Sequence, residues 1–152
     1  MTRHHQIFSL SIMKHYILRV LFLFCALSFS SLVWSHDLKG EWSLKIENLH
    51  RQPIATLDLR FTKEKASSCL SGDWLRVIVL SSTTRDKNFF PVSDLLSYSI
   101  EKNQLTIGRT DICDRYRMLN GTLKRKIIRG DYYSLGLGGA SPLGYFSLSK
   151  KN

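Results

Sequence analysis

The pattern of apolar and polar positions changes about a quarter of the way along the chain. The start is basic, with no acidic residue before Asp37, and it leads into an apolar run from Val20 to Val33. The core of this run has roughly 13 residues, which fits the apolar part of a signal peptide. A membrane-spanning helix needs about 20 apolar residues. We therefore predict a helical signal peptide over 1–35, cleaved near Ser35, followed by an exported domain over 36–152.

Three alternatives for the leader stay open. The apolar run is also compatible with an uncleaved membrane anchor, and cleavage after Ser30 is a second choice. An initiation at Met13 gives a signal peptide of more ordinary length. Cys25 lies inside the apolar run behind bulky residues, which disfavours a lipid-anchored protein. No membrane span is expected in the mature chain.

Beyond residue 35, apolar and polar residues alternate with a period of two. Trp42, Leu44 and Ile46 form one such series, and Leu57 and Leu59 lie in the next. This period is typical of a strand with one buried and one wet face. Further strands are predicted over 74–80, over 143–149, and in hairpins around 102–103 and 124–126. Polar residues predict a loop over 81–87, and a glycine-rich segment predicts a loop over 136–142.

About eight short strands with short connections favour an all-β domain. We predict an antiparallel meander closed into a barrel, because closure removes exposed strand edges. A β-sandwich is the alternative, and a short helix is conceivable only near 91–97. A membrane-embedded barrel is disfavoured, since the strands are short and charges such as Asp58 and Arg60 occupy outward positions.

Charge and cysteine content narrow the compartment and the partners. Three of the 22 lysines and arginines precede residue 36. Residues 36–152 therefore contain 19 basic and 12 acidic residues, a net charge of +7. Such a charge favours anionic partners or a generic basic surface. Removal of the leader leaves two cysteines, Cys69 and Cys113, and a disulfide between them is the expectation for an oxidising compartment.

Gly40-Glu41-Trp42, on the first strand after the leader, resembles the Gly-x-Trp motif that opens lipocalins and the wider calycin group. The resemblance implies a small secreted barrel closed at one end by Trp42. It also implies that a basic residue near the last strand packs across the tryptophan, for which Lys150 and Arg129 are candidates. Two late segments, Gly130-Asp131-Tyr132-Tyr133 and Gly144-Tyr145-Phe146, are similar to late strands of such barrels. Such a resemblance implies a fold but does not imply a ligand.

The sequence offers little for catalysis. Only His36 and His50 remain after the leader, and no nucleotide-binding, hydrolase or metalloprotease motif is present. We therefore predict a protein that is not an enzyme and needs no cofactor or metal. Asp111 and Asp114 flank Cys113 among several arginines, and we expect local charge pairing there.

Two groups of residues are candidates for binding. One consists of aromatic residues expected at the barrel mouth or interior: Phe89, Phe90, Trp74, Tyr133 and Tyr145. The other is a basic patch expected around the turn of one hairpin: Arg115, Arg117, Lys124, Arg125, Lys126 and Arg129. Nucleic-acid recognition would need aromatics interleaved with these charges for base stacking. Tyr116 is the only aromatic residue between Arg109 and Lys126, so no specific nucleic-acid partner is predicted.

Three hypotheses for function follow. The leading one is an exported, non-enzymatic, lipocalin-like binding protein with a small apolar ligand or a protein at its mouth or in its interior. The second is a periplasmic or secreted inhibitor of a hydrolase. The third is a basic envelope or host-surface factor that binds polyanions. The periplasm and the extracellular space are both compatible with the leader.

Overall fold

The computed structural model describes residues 38–90 and 92–151; the predicted signal peptide and its cleavage site near Ser35 lie outside the described residues. The described chain consists of eight strands: β1 Glu41–Asn48, β2 Pro53–Lys65, β3 Leu75–Thr84, β4 Leu96–Glu101, β5 Gln104–Arg109, β6 Tyr116–Thr122, β7 Ile127–Gly136 and β8 Gly139–Lys150.

All eight strands belong to one closed antiparallel sheet. Each strand pairs with the next along the chain, and β8 returns to pair with β1 from Trp42↔Lys150 to Asn48↔Gly144. This architecture confirms the predicted meander barrel, and the β-sandwich alternative is wrong. The barrel is also the architecture of lipocalin-like proteins, as the opening motif suggests.

The interior is filled by the apolar side chains that the period-two pattern placed on one face. Seven of the largest, from six different strands, have no exposed area: Leu44, Leu57, Leu105, Ile107, Leu119, Ile128 and Leu148. Full burial of each such side chain stabilises the fold by roughly 1.5–3 kcal/mol. The packed interior therefore accounts for much of the fold's stability.

One end of the barrel, here called the tryptophan end, is closed by Trp42. Its indole Nε1 donates to the Leu38 carbonyl at 3.1 Å, and its ring meets Phe61 edge-on. Gly40 has a φ of +89°, a conformation that favours glycine. A Cβ at Gly40 would lie 3.4 Å from Cε of Lys150. Lys150, rather than the exposed Arg129 on β7, is thus the basic residue beside the motif.

A disulfide joins Cys69 and Cys113, as predicted, with Cα atoms 5.5 Å apart. It ties the loop 66–74 to the connection between β5 and β6. The Cys69 amide also donates to the Thr110 carbonyl at 2.8 Å. Disulfides of this kind are typical of oxidising compartments.

Several predicted element bounds need correction. β3 extends to Thr84, so the first half of the predicted loop 81–87 is strand. Serine and threonine occur in strands as well as in loops, so the polar sequence did not distinguish the two. The predicted loop 136–142 shrinks to a turn, since Gly136 pairs with Gly139. Pro142 is accommodated in β8 at a register shift opposite Tyr132 and Tyr133. Residues 92–93 form a turn and Asp94 lies in a bend, so this segment is not a helix.

Candidate functional site

The end of the barrel opposite Trp42, here called the mouth, is formed by the loops 49–52, 85–95, 110–115 and 137–138. A cleft of about 620 Å³ lies here, bounded by the loop after β3, the end of β5, the start of β6 and the end of β7. Its charged and hydroxyl-bearing lining residues are Lys87, Arg109, Asp114, Arg115, Arg117, Tyr116 and Ser134. The volume falls in the range of small-molecule sites, about 300–1,000 Å³.

Arg109 and Arg117 occupy directly opposite positions on β5 and β6. Arg109 continues the inward series of Leu105 and Ile107, and Arg117 precedes the inward Leu119 by two positions. The alternation of a strand therefore directs both guanidinium groups toward the mouth end of the interior. Like charges directly opposite one another destabilise a strand pair.

Both Nη atoms of the Arg109 guanidinium contact other groups of the protein. Its Nη1 contacts Asp94 Oδ2 at 2.5 Å, and its Nη2 donates to the Arg115 carbonyl at 2.7 Å. Its Nε is buried and has no hydrogen-bond partner among the described residues. Asp94 thus neutralises one of the two opposed arginines and fixes the loop 85–95 against β5.

Arg117 has only neutral partners in the described part of the chain. Its Nη1 donates to the Phe89 carbonyl at 3.2 Å and to the Tyr132 hydroxyl at 3.3 Å. The Tyr132 hydroxyl in turn donates to the Phe89 carbonyl. Burial raises the pKa of Tyr132 above its ordinary value, although the Arg117 charge opposes this shift. The tyrosine is therefore a neutral donor near pH 7, and no described carboxylate pairs with the charge on Arg117.

The cleft as a whole is cationic. Lys87, Arg115 and Arg117 make no ion pair with any described carboxylate, and Asp114 is the one acidic residue in the lining. Among the described residues, Asp111 and Asp114 form none of the expected ion pairs with neighbouring arginines, and Arg109 pairs with Asp94 instead. Such a surface can hold a carboxylate, sulfate or phosphate group, since guanidinium groups bind these anions with paired hydrogen bonds.

The five aromatic residues predicted to bind do not form one surface. Phe89 and Phe90 both meet the Tyr132 ring edge-on, and Phe90 is fully buried, so they close the interior at the mouth. Trp74 is buried outside the interior cluster and donates to Ser71. The other two lie at different positions of the outer sheet face: Tyr133 opposite Pro142 on β8, and Tyr145 beneath the Arg51 guanidinium.

The predicted basic patch is divided between the two barrel ends. Arg115 and Arg117 lie at the mouth, whereas Lys124, Arg125 and Lys126 lie in the turn at the tryptophan end. β6 has seven residues and separates the two groups by roughly 20 Å at about 3.3 Å per residue. Arg129 is exposed on β7 nearer the tryptophan end. Only the first two members belong to the cleft.

Sequence reasoning missed Lys87, Asp94 and Ser134 and gave Arg109 no role in binding. The alternation from Leu105 through Ile107 carried the signal for Arg109, because the next inward position of that strand is a charged residue. The role of Asp94 depends on how the loop 85–95 folds back, which no local pattern encodes.

Other chemistry is limited in the part of the chain that the structure describes. No group of three or more histidine, cysteine, aspartate or glutamate residues could hold a metal ion within 38–90 and 92–151. No helix in these ranges is long and apolar enough to span a membrane.

Comparison with known proteins adds no relative. No family model matches the chain, and neither the curated proteins nor the solved structures contain a match.

Proposed function

We propose that this is an exported, non-enzymatic binding protein that holds an anionic group of its ligand in the cleft at the barrel mouth. One observation carries the proposal: two arginines face each other across β5 and β6, and among the described residues only Arg109 has a carboxylate partner. A bound anion would relieve the repulsion between them and satisfy the free charge of Arg117. Export to the periplasm or the extracellular space is supported by the leader and by the disulfide.

The mouth is favoured over the interior as the binding place. Phe90 and Tyr132 are fully buried between the apolar interior and the mouth. An apolar ligand inside the barrel would have to displace these rings together with the packed leucines and isoleucines. Loops at one end of a rigid barrel, by contrast, present side chains without disturbing the core.

The test is isothermal titration calorimetry of the purified protein with a heparin-derived tetrasaccharide, at low and at high salt. The Arg117→Gln variant should bind at least about tenfold more weakly, a loss of about 1.4 kcal/mol. Higher salt should weaken binding by the parent protein, because salt screens the attraction between the cleft and the anion.

Arg129→Gln is the matched control, since it removes one positive charge from an exposed position outside the cleft. It should bind within about twofold of the parent. Equal losses in both variants would mean that net charge alone drives binding, and the proposed site would be wrong. An affinity that does not change with salt would also contradict it.

A hydrolase inhibitor is the second candidate, favoured by Leu137. This side chain is 99% exposed at the tip of the β7–β8 hairpin, between Gly136 and Gly138. An apolar residue on a narrow tip fits the specificity pocket of a hydrolase. Assays against a panel of serine proteases and lysozymes should then show inhibition that Leu137→Ser abolishes and Arg117→Gln leaves unchanged. Inhibition by neither the parent nor any variant would dismiss this candidate.

A further inference from the structure

The cleft contains a row of directly opposite residues on three neighbouring strands. Arg109 on β5 pairs with Arg117 on β6, and Arg117 pairs with Ser134 on β7. Ser134 follows the buried Tyr132 by two positions, so its hydroxyl lies on the same side of the sheet as the two guanidinium groups. Directly opposite side chains on adjacent strands have Cβ atoms about 4.5–5.5 Å apart. Arg117 therefore lies between a second arginine and a hydroxyl group.

The Arg109 side of this row is already occupied. Its two Nη atoms contact Asp94 and the Arg115 carbonyl, and its Nε is buried. A ligand would have to displace the Asp94 carboxylate to reach this guanidinium. We therefore expect an anion to approach Arg117 from the Ser134 side.

Arg117 and Ser134 both retain donors for a ligand. The hydrogen bonds of Arg117 with described residues use Nη1 alone, which leaves the N–H groups of Nε and Nη2. The Ser134 hydroxyl makes no hydrogen bond within the described part of the chain. Lys87 and Arg115 add two positive charges to the lining, against the single carboxylate of Asp114.

This set of donors fits a tetrahedral anion better than a planar one. Two parallel N–H groups of a guanidinium bind the two oxygens of a carboxylate, and the anion then has no further oxygen. A sulfate or phosphate ester has a third terminal oxygen, outside the plane of the guanidinium fork. A hydroxyl on the neighbouring strand can donate to that third oxygen. The pairing of Arg117 with Ser134 thus distinguishes the two kinds of anion.

On the basis of the proposed anion-binding function, we propose that the anionic group of the ligand is a sulfate or phosphate ester rather than a carboxylate. Two of its oxygens accept hydrogen bonds from the Arg117 guanidinium, and the third accepts one from the Ser134 hydroxyl. Ser134 is then the residue that determines specificity, whereas Arg117 provides the charge that binds any anion.

Amide chemical-shift titrations with three sugars test this specificity. Glucose-6-sulfate and glucuronate have the same ring and the same single charge, but their anionic groups differ in shape. The parent protein should bind glucose-6-sulfate at least about fivefold more tightly than glucuronate, because the sulfate gains one more hydrogen bond. Glucose-6-phosphate distinguishes the two tetrahedral esters, and it should bind at least as tightly as the sulfate because it has more charge near pH 7.

Ser134→Ala tests the residue that determines the preference. This variant should prefer glucose-6-sulfate over glucuronate by less than about twofold, because the third oxygen of the sulfate loses its donor. Ser147→Ala is the matched control, since Ser147 lies on the outer face of β8 between the buried Phe146 and Leu148. The control should keep the preference of the parent protein.

Three results would overturn the inference. They are equal binding of glucose-6-sulfate and glucuronate by the parent, a preference that survives Ser134→Ala, and a preference for glucose-6-phosphate alone, which would indicate recognition of charge rather than shape. The proposed function would still stand in these cases if tetrasaccharide binding depended on Arg117. Failure of the tetrasaccharide and of all three sugars to bind would overturn both proposals.

Discussion

Tyr132 is the residue at which the packed interior, the mouth loop and the cationic cleft meet. Its ring contacts Phe89 and Phe90, and its hydroxyl bonds to the Phe89 carbonyl and to Arg117. A single side chain thus closes the core and positions Arg117, the arginine of the opposed pair that has no carboxylate partner within 38–90 and 92–151. Changes at this residue should affect both stability and anion binding.

Tyr132→Phe should lower the free energy of unfolding by about 1–2 kcal/mol, because the Phe89 carbonyl loses its neutral donor in a buried setting. Urea unfolding measures this loss. Tyr133→Phe provides the control, since the hydroxyl of the half-buried Tyr133 makes no hydrogen bond with described residues, and its effect should stay within about 0.5 kcal/mol. Equal effects of the two substitutions would refute the role assigned to the Tyr132 hydroxyl.

The raised pKa of Tyr132 also predicts a dependence of stability on alkaline pH. The unfolded chain loses this proton near pH 10, whereas the folded chain keeps it to higher pH. The unfolded state therefore binds fewer protons above pH 10, and the stability falls as pH rises from there through the folded pKa. Tyr132→Phe should flatten the fall measured by urea unfolding between about pH 9 and 11. Part of it should remain, because burial also raises the pKa of Tyr133. An unchanged slope would contradict this assignment.

At the scale of elements, the disulfide fastens the loop 66–74 to the β5–β6 connection. It closes a separation of 44 residues. Beneath this junction, the Ser97 and Thr110 hydroxyls form a buried hydrogen bond of 2.6 Å. The connection that precedes Arg117 on β6 is thereby held in place.

Cys69→Ser should lower the free energy of unfolding by about 4 kcal/mol on the chain-entropy account of disulfides. Chemical unfolding under oxidising conditions measures this, and limited proteolysis should find the loops 66–74 and 110–115 newly sensitive. The double variant Cys69→Ser, Cys113→Ser should match the single one, because one bond is lost in both. If Cys69→Ser unfolds like the parent, the disulfide contributes nothing to stability.

The strands of the barrel were predictable because their signal is local. Apolar residues such as Trp42, Leu44 and Ile46 alternate with polar residues, and the apolar face of each strand is buried. The ends of β3 and β8 were not predictable, since serine, threonine and glycine occur in both strands and turns. The residues of the predicted basic patch lie apart for a geometric reason: β6 runs the length of the barrel between Arg117 and Lys124. The Asp94–Arg109 pair joins a loop to a strand 15 residues away, which no period reveals.

At the scale of the whole molecule, positive charge lies at both ends of the barrel. Lys124 and Lys126 are exposed in a turn, where screening weakens their attraction for anions. Arg109 and Arg117 instead lie half-buried in a cleft with fixed partners, where an anion would be held at less cost in side-chain entropy. We therefore propose that anions bind at the mouth and not at the tryptophan end.

Amide chemical-shift mapping tests that placement most directly. The ¹⁵N-labelled protein would be titrated with the heparin-derived tetrasaccharide, and the shifts of the backbone amides followed. We predict saturable shifts concentrated around Arg109, Arg117 and Ser134, with little change in the turn 123–126. Shifts confined to the turn 123–126, or spread evenly over all exposed basic residues, would contradict it.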